Sequence, residues 1–307
     1  MEIEQNNLRE IINYRLEKLE KIRAAGFNPY PYNFDKTHQI TELLKKGENG
    51  VGEKVKTAGR MVSFRKMGKA SFTHIQDENE KIQVYLKNDL LPENLYDNIV
   101  RNLDLGDIIG CSGELFITKT GELSIKADYI MILSKNIRPL PNLKEKEGES
   151  FNAFEDKELR YRHRQLDFIA NPSVKEIFKK RSRIISSLRK FLDEHNFLEV
   201  ETPVLQSIYG GASARPFTTY HNTLDQSFYL RIADELYLKR LIIGGFDKVY
   251  ELAKNFRNEG MDSNHNPEYT SLEYYQAYSD MFEMMALTES LIQFVALETG
   301  EVKFEFN

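Results

Sequence analysis

Residues 70–86 read ASFTHIQDENEKIQVYL, two runs rich in β-branched and aromatic residues on either side of an acidic, polar break. Ala70 to Gln76 and Lys81 to Leu86 are therefore expected as strands, with Asp77-Glu78-Asn79-Glu80 as the tight turn between them. Working outward, the same signature recurs at Val55 to Phe64, Asp107 to Thr118 and Glu122 to Ile132. Thr118-Lys119-Thr120-Gly121 supplies a hairpin tip, where Gly121 can take the unusual backbone angle that a tip requires. Pro92 to Leu103 has helical character and separates the third strand from the fourth. Five strands with a helix in that place is the layout of an OB-fold. An immunoglobulin-like sandwich would need about seven strands.

Upstream, Leu8, Ile11, Ile12, Leu16, Leu19 and Ile22 recur at helical spacing, and Gly26 is placed to end the helix. Packing on the following domain is its expected role, although Lys18, Lys21 and Arg23 leave open a basic face toward RNA phosphates. Downstream, Ser134 to Ser150 carries Pro139, Pro141 and a charged run from Lys144 to Glu149, the character of a linker. The expected organisation is a helical segment over 1–50, the barrel over 51–145 and a second domain over 146–307. In that domain Ser173-Val174-Lys175-Glu176 has the pattern of a capping box. Behind it Val174, Ile177, Phe178, Ile184, Ile185, Leu188, Phe191 and Leu192 mark one apolar face of a long helix. Residues 301–307 have the pattern of a strand.

The stretch richest in chemistry runs from Val249 to Tyr278. Tyr250 to Phe256 is expected as a strand, followed by the polar loop Gly260-Met261-Asp262-Ser263-Asn264 and a returning strand. Alternation places Asn255, Arg257 and Glu259 on one face, and Tyr269, Ser271, Glu273 and Tyr275 on the matching face. A cross-strand ladder accounts for one charge pair, not for a whole polar face. Such a face suits a ligand with a phosphate, an aromatic base and an amine. Arg257 can grip phosphate or carboxylate bidentately, Glu259 can accept from an exocyclic amine, and Tyr269 can stack on a ring. Burying Arg257, Glu259 or Glu273 unpaired would be costly, so a ligand or a structural ion pair is required.

These segments resemble one family. Phe256-Arg257-Asn258-Glu259, followed by His265-Asn266-Pro267-Glu268-Tyr269, is similar to motif 2 of the class II aminoacyl-tRNA synthetases. Phe197-Leu198-Glu199-Val200-Glu201-Thr202-Pro203 resembles their dimer-forming motif 1. Residues 210–217 and 230–240 resemble the lysine-specific members, and 68–72 with 118–124 resemble the anticodon domain of those members. The resemblance covers nearly the whole chain from Leu8 onward. It implies an α+β protein, with an N-terminal OB-fold β-barrel and part of a class II synthetase domain, an antiparallel sheet flanked by helices.

The activity so implied is that of a lysine–tRNA ligase, forming lysyl-adenylate from L-lysine and ATP and passing the lysyl group to tRNA(Lys). Arg257 would be the catalytic residue, holding the ATP α-phosphate and the amino-acid carboxylate. Glu259 and Asn266 would meet adenine, Tyr269 would stack on it, and His265 would approach the outer phosphates. Gly211 and Glu235 would bind the lysine α-amino group, with Glu273 and Tyr275 near the ε-ammonium. In the barrel, Phe72 would stack on an anticodon base while Arg65, Gln83 and Glu122 read base edges. Motif 1 implies a homodimer. Asn196 stands where motif 1 often has glycine, and Asn264 where an arginine often precedes the histidine. No segment resembling motif 3 occurs, so a second catalytic arginine and the Mg²⁺ ligands are expected beyond residue 307, with no metal ligand in this chain. Residues 1–307 alone are then expected to be inactive.

Composition constrains the alternatives. Lys and Arg number 42 against 47 Asp and Glu, a net charge of −5, so RNA contact must come from local patches rather than a basic coat. No signal-peptide pattern and no apolar run of ~20 residues occurs, which points to the cytoplasm and away from a membrane. Cys111, the only cysteine, is expected as a buried strand residue. His38, His74, His163, His195 and His221 lack metal-ligand spacing and are expected in solvent or satisfied-core roles. Gly244-Gly245 suits a turn, and Arg160, Arg162 and Arg164 a solvated face or an interface. Two other functions stay open: a non-catalytic tRNA-binding module, and a related aspartyl- or asparaginyl-type synthetase.

Overall fold

The computed structural model describes residues 2–78, 80–141, 143–146, 149–152, 154 and 156–300. The strand expected over 301–307 lies outside them, as do Asn79 of the turn and Glu147 and Gly148 of the charged run. The chain divides into two compact units, Met1–Pro172 and Ser173–Asn307.

The first unit opens with α1 (Glu2–Ala24), which stops at Gly26, whose φ is +84°. Only part of its apolar stripe is buried: Leu19 and Ile22 pack inward, while Leu8, Ile11 and Leu16 stay exposed. Lys18 is not free for a phosphate. It is buried, and its Nζ lies 2.5 Å from Asp104, while Arg23 pairs with Glu20 at 2.7 Å. Helix α2 (Ile40–Lys46) then buries Ile40 and Leu43 completely.

Strands β1 (Lys54–Met67), β2 (Ala70–Gln76) and β3 (Lys81–Lys87) precede α3 (Leu95–Asn98). Strands β4 (Ile108–Ile117) and β5 (Leu123–Ser134) complete a closed barrel in the order β1-β2-β3-β5-β4. Only the β3–β5 seam is parallel, so this is the OB-fold. The helix expected over Pro92 to Leu103 is broken into α3 and a 3₁₀ turn at Val100–Asn102. Asn102 Nδ2 donates to the Asn98 carbonyl at 2.9 Å, a side-chain bond that competes with continuation of the helix. Gly113 sits where β4 bulges against β5; a Cβ there would stand 2.1 Å from the Lys126 carbonyl oxygen. Cys111 is buried in β4, and burial pushes its thiol up to about 12.

The stretch expected as a linker carries a small antiparallel hairpin, β6 (Leu143–Lys146) and β7 (Glu149–Asn152). Helices α4 (Lys157–Arg162) and α5 (Arg164–Ala170) follow. The arginines here are not a uniform solvated face. Arg160 and Arg164 close on the buried Asp167 at 2.7 and 2.6 Å, leaving Arg162 to pair with Glu158 on the surface.

The second unit begins with α6 (Val174–Glu194). Its capping box does not form, because Ser173 is already helical (φ −59°, ψ −24°) and its hydroxyl caps nothing. The C-terminal half of α6 supplies Phe191 and Leu192 to a core with Phe197, Tyr250 and Leu291, while Ile177 remains 66% exposed. Asn196 has φ +62°, which explains why glycine suits the position and why asparagine is tolerated. Next come β8 (Leu198–Glu199), β9 (Leu205–Gln206), β10 (Thr218–His221), β11 (Gln226–Leu230) and α7 (Glu235–Ile243). Strands β12 (Lys248–Phe256) and β13 (Glu268–Gln276) form the long hairpin, and α8 (Met281–Glu298) closes the unit. The sheets are β10-β11-β9 and β13-β12-β8; the second is mixed, since β8 runs parallel to β12. Gly245, with φ +101°, turns the chain from α7 into β12.

Candidate functional site

Each unit presents a polar face. In the barrel, alternation along β2 sends Ser71, Thr73 and Ile75 inward and leaves Phe72 and His74 on the outer surface. Register places Arg65 opposite Phe72, Phe72 opposite Tyr85, and His74 opposite Gln83. The result is a groove of about 880 Å³ that brings together Arg65, Phe72, Gln83 and Glu122. Phe72 and Tyr85 have ring centroids 4.8 Å apart, and Phe116 extends the aromatic strip 6.2 Å beyond Tyr85. Around them runs a closed hydrogen-bond chain. Gln83 Nε2 donates to Glu122 at 2.8 Å, Ser124 Oγ donates to Gln83 Oε1 at 2.9 Å, and His74 bridges Ser63 and Glu122 at 2.7 and 2.6 Å. The aromatic and polar lining can stack bases and offer both donors and acceptors to their edges. Tyr85, Phe116 and His74 are groove residues that the sequence alone did not single out.

In the second unit, β12 and β13 pair Asn255 with Tyr269, Ala253 with Ser271, Glu251 with Glu273, and Val249 with Tyr275. Backbone pairing continues one step past β12, where the Arg257 N–H donates to the Pro267 carbonyl at 2.8 Å. This sets the Arg257 guanidinium 5.3 Å from the centre of the Tyr269 ring. Alternation then stops. The Glu259 N–H donates back to Arg257 O at 3.0 Å, and the exposed Glu259 carboxylate accepts the Arg215 N–H at 3.3 Å. The expectation that Glu259 continues the strand face is thus corrected. His265 and Asn266 are exposed on the connecting loop, where the His265 ring meets Asp262 at 2.8 Å.

Gly211 has φ +85°, and a Cβ there would stand 2.9 Å from Glu235 Cβ. The two residues therefore adjoin, at the point where Glu235 opens α7 and accepts Lys239 Nζ at 2.6 Å. Glu273 Oε2 accepts the Tyr275 hydroxyl at 3.0 Å. Burial, reinforced by the neighbouring Asp234 carboxyl, pushes Glu273 up to about 7. Burial and then the Glu273 charge raise Tyr275 well above the usual phenol range.

A buried network underlies this face. Arg231 donates to Glu251 at 2.7 Å, to the Thr202 carbonyl and hydroxyl at 3.1 Å, and to the Lys254 carbonyl at 2.9 Å. Thr202 Oγ in turn donates to Glu251 at 2.6 Å. Asp234, fully buried, is held through Oδ1 by Asn255 Nδ2 at 3.0 Å. Sequence reading quoted Arg231 and Asp234 within one segment but gave neither a role, since nothing in their spacing discloses burial. Among the described residues, three buried atoms of this site have no hydrogen-bond partner: Asp234 Oδ2, Asn255 Oδ1 and Arg257 Nε.

Comparison with known proteins follows the same division. Residues 156–306 match the class II tRNA synthetases (D, K and N), and residues 55–133 match the OB-fold nucleic-acid-binding domain. The chain is 49% identical over 306 residues to the lysine–tRNA ligase of Carboxydothermus hydrogenoformans, covering 99% of this chain and 61% of that protein. It is 50% identical over 304 residues to the lysine–tRNA ligase of Pelotomaculum thermopropionicum, covering 98% of this chain and 58% of the relative. With that of Fusobacterium nucleatum it shares 48% identity over 299 residues, 97% of this chain and 59% of the relative. The chain thus spans about three-fifths of the length of these curated relatives. With a closed five-stranded barrel on one side and the Arg257 hairpin on the other, the chain belongs to the class II aminoacyl-tRNA synthetases of the D, K and N type.

Proposed function

We propose that this chain serves a lysine–tRNA ligase: the hairpin face takes ATP and L-lysine, and the barrel groove takes the anticodon of tRNA(Lys). The observation that carries the reading is the Glu273–Tyr275 pair on the same strand face as Arg257 and Tyr269. A carboxylate at that place favours a cationic side chain and repels the carboxylate of an aspartyl-type substrate. The non-catalytic reading rests on the groove alone and leaves the three unpartnered buried atoms of the hairpin without a purpose.

In the reaction, a lysine carboxylate oxygen bonds to the ATP α-phosphorus while the bond from that phosphorus to the β-phosphate bridging oxygen breaks, releasing pyrophosphate. A carboxylate is already a nucleophile, so positioning and charge stabilisation are the main demands. Arg257, through its free Nε edge, would hold the α-phosphate and the carboxylate together, and Tyr269 would carry the adenine. Gly211 and Glu235 would hold the α-amino group, and Glu273 with Tyr275 the ε-ammonium. Glu259, His265 and Asn266, all exposed at the loop, would close on the nucleotide from outside. Mg²⁺ does not fit the described residues: among them no group of three or more acidic, histidine or cysteine side chains is placed to hold a metal. No step is therefore routed through it here.

In the groove, Phe72 would stack on an anticodon base while Arg65, Gln83 and Glu122 read edges. The apolar residues left exposed on α6 and β9, Ile177, Phe178 and Leu205, would meet a second copy in a motif 1 homodimer. Among the described residues no helix is long and apolar enough to cross a membrane, and work on tRNA(Lys) places the protein in the cytoplasm. The proposed limits of the anticodon domain are 51–145, with the catalytic domain over 146–307. Equilibrium titration of the chain with lysine, aspartate and asparagine tests the substrate assignment. Saturable binding of lysine alone is expected, and equal binding of aspartate would overturn it.

A further inference from the structure

Asp234 stands at the start of α7 with its side chain fully buried. A buried carboxylate is tolerated when each oxygen finds a donor or a cation. Here Oδ1 takes the Asn255 amide at 3.0 Å, while Oδ2 has no donor among the described residues. The Glu273 carboxyl lies within hydrogen-bonding reach of Asp234, so two acids meet with no base between them. The surrounding charges do not relieve the pair. Glu251, opposite Glu273 in the register, is spent on Arg231. Tyr275 donates one hydrogen bond to Glu273, Glu235 is engaged by Lys239, and Arg257 lies over Tyr269. Two carboxyls in contact in a partly dry site hold one proton between them, because both cannot ionise cheaply.

We propose that Asp234 is a specificity-determining residue that shares one proton with Glu273 in the free protein, and that the two acids together form the seat of the substrate's side-chain ammonium. The inference rests on the lysine reading above and extends it to a second carboxyl. When the ammonium enters, it replaces the shared proton as the positive charge between the acids, and that proton passes to solvent. Charge balances: one cation arrives, one proton leaves, and Asp234 Oδ2 gains the donor it lacks. The neutral side chain of norleucine cannot make that exchange, so the pair discriminates by charge and not by length. Burial alone would also make Glu273 hold a proton; what the pair adds is dependence on Asp234.

The test is calorimetric titration of the chain with lysine and with norleucine, in buffers of different ionisation enthalpy, between pH 5.5 and 8. For the wild type, release of close to one proton per lysine is expected near pH 6, with affinity tightening about tenfold per pH unit below 7 and levelling off above it. Asp234→Asn should cut proton release severalfold near pH 6, flatten the affinity profile, and reduce the preference for lysine over norleucine at least about tenfold at pH 8. Carboxyl carbon NMR of the ligand-free protein gives a second readout, in which the titration of Glu273 moves down in Asp234→Asn. Lysine binding with the wild-type proton count retained in Asp234→Asn would overturn the role of Asp234 while leaving the lysine reading intact. Absence of lysine binding by the folded wild type would overturn both. If Asp234→Asn does not fold, Asp234→Glu, which keeps the charge, should retain proton release; its loss there would count against the pair.

Discussion

The barrel groove and the hairpin face both present polar side chains for a ligand, yet their hydrogen-bond states differ. In the groove, Ser63, His74, Gln83, Glu122 and Ser124 satisfy one another, and the aromatic strip already stacks on itself. On the hairpin, Asp234, Asn255 and Arg257 each keep a buried atom unpaired, and two carboxyls crowd together. A groove complete without its ligand works as a stable platform, and RNA bases compete for side chains that are otherwise content. A face left incomplete is organised for the ligand at the expense of the empty fold. Groove substitutions should therefore lower binding and leave folding nearly unchanged, whereas hairpin substitutions should separate by depth.

The largest effect is expected beneath the hairpin. Arg231 and Glu251 are both almost fully buried, and Arg231 also serves Thr202 and Lys254. Arg231→Met removes one partner and leaves the Glu251 carboxylate uncompensated, which costs about 3–5 kcal/mol in such pairs. Urea unfolding of the second unit, followed by the environment of its tyrosines, measures the loss. The comparison breaks if the variant is as stable as the wild type, for then this network is not what holds the face.

The two regions also differed in how much the sequence disclosed. The barrel strands declared themselves because half-buried strands alternate, and Phe72, Gln83, Glu122 and Arg65 fall on the outward phase of β1, β2 and β3 or the tip before β5. Tyr85 and Phe116 share that phase, but an aromatic in a strand reads equally well as core, so register was needed to find them. On the hairpin, period two gave Asn255, Tyr269, Ser271, Glu273 and Tyr275 correctly as one face. It failed at Glu259, because the chain there turns onto Arg215, a contact made by tertiary structure. Asp234 went unread for a related reason: its importance lies in being buried beside Glu273. Ser173 shows a local pattern overruled by local geometry, a capping sequence whose first residue is already helical.

An intermediate effect is expected in the groove, and there it should appear in binding. Phe72 is half-buried and stacks on Tyr85, so Phe72→Ala removes a platform without opening the core. Loss of stacking weakens RNA binding by about 1–3 kcal/mol. Unfolding stability should shift by no more than roughly 0.5 kcal/mol, as for surface sites in general. Titration against tRNAs that differ only in the anticodon, beside a thermal melt, reads both quantities. A variant that melts much earlier would place Phe72 in the fold rather than in recognition. Equal affinity of the wild type for every anticodon would make the groove a platform without sequence preference.

The smallest effect sharpens the contrast most, because its sign is unusual. Glu273 holds its proton up to about 7 in the folded protein, above its ordinary value of 4.5. Between those two values the folded state binds more protons than the unfolded state, so stability must fall as pH rises through that window and level off above it. Most carboxylates that gain a cationic partner on folding behave the other way. Glu273→Gln takes away the titration and offers the buried Asp234 Oδ2 an amide donor. The variant should therefore melt slightly above the wild type at pH 8, by a few degrees at most on the order expected for ~1 kcal/mol or less in a domain of this size. Toward pH 4.5 the two curves should converge, since Glu273 is then protonated in the wild type as well. Lysine affinity should move in the opposite direction at pH 8 and fall in the variant. Melting curves from pH 4.5 to 8 decide the matter by the difference between the two proteins, in which other titrating groups cancel. If Glu273→Gln is less stable than the wild type at pH 8, the carboxyls are not in conflict, and the hairpin face is as complete without its ligand as the groove.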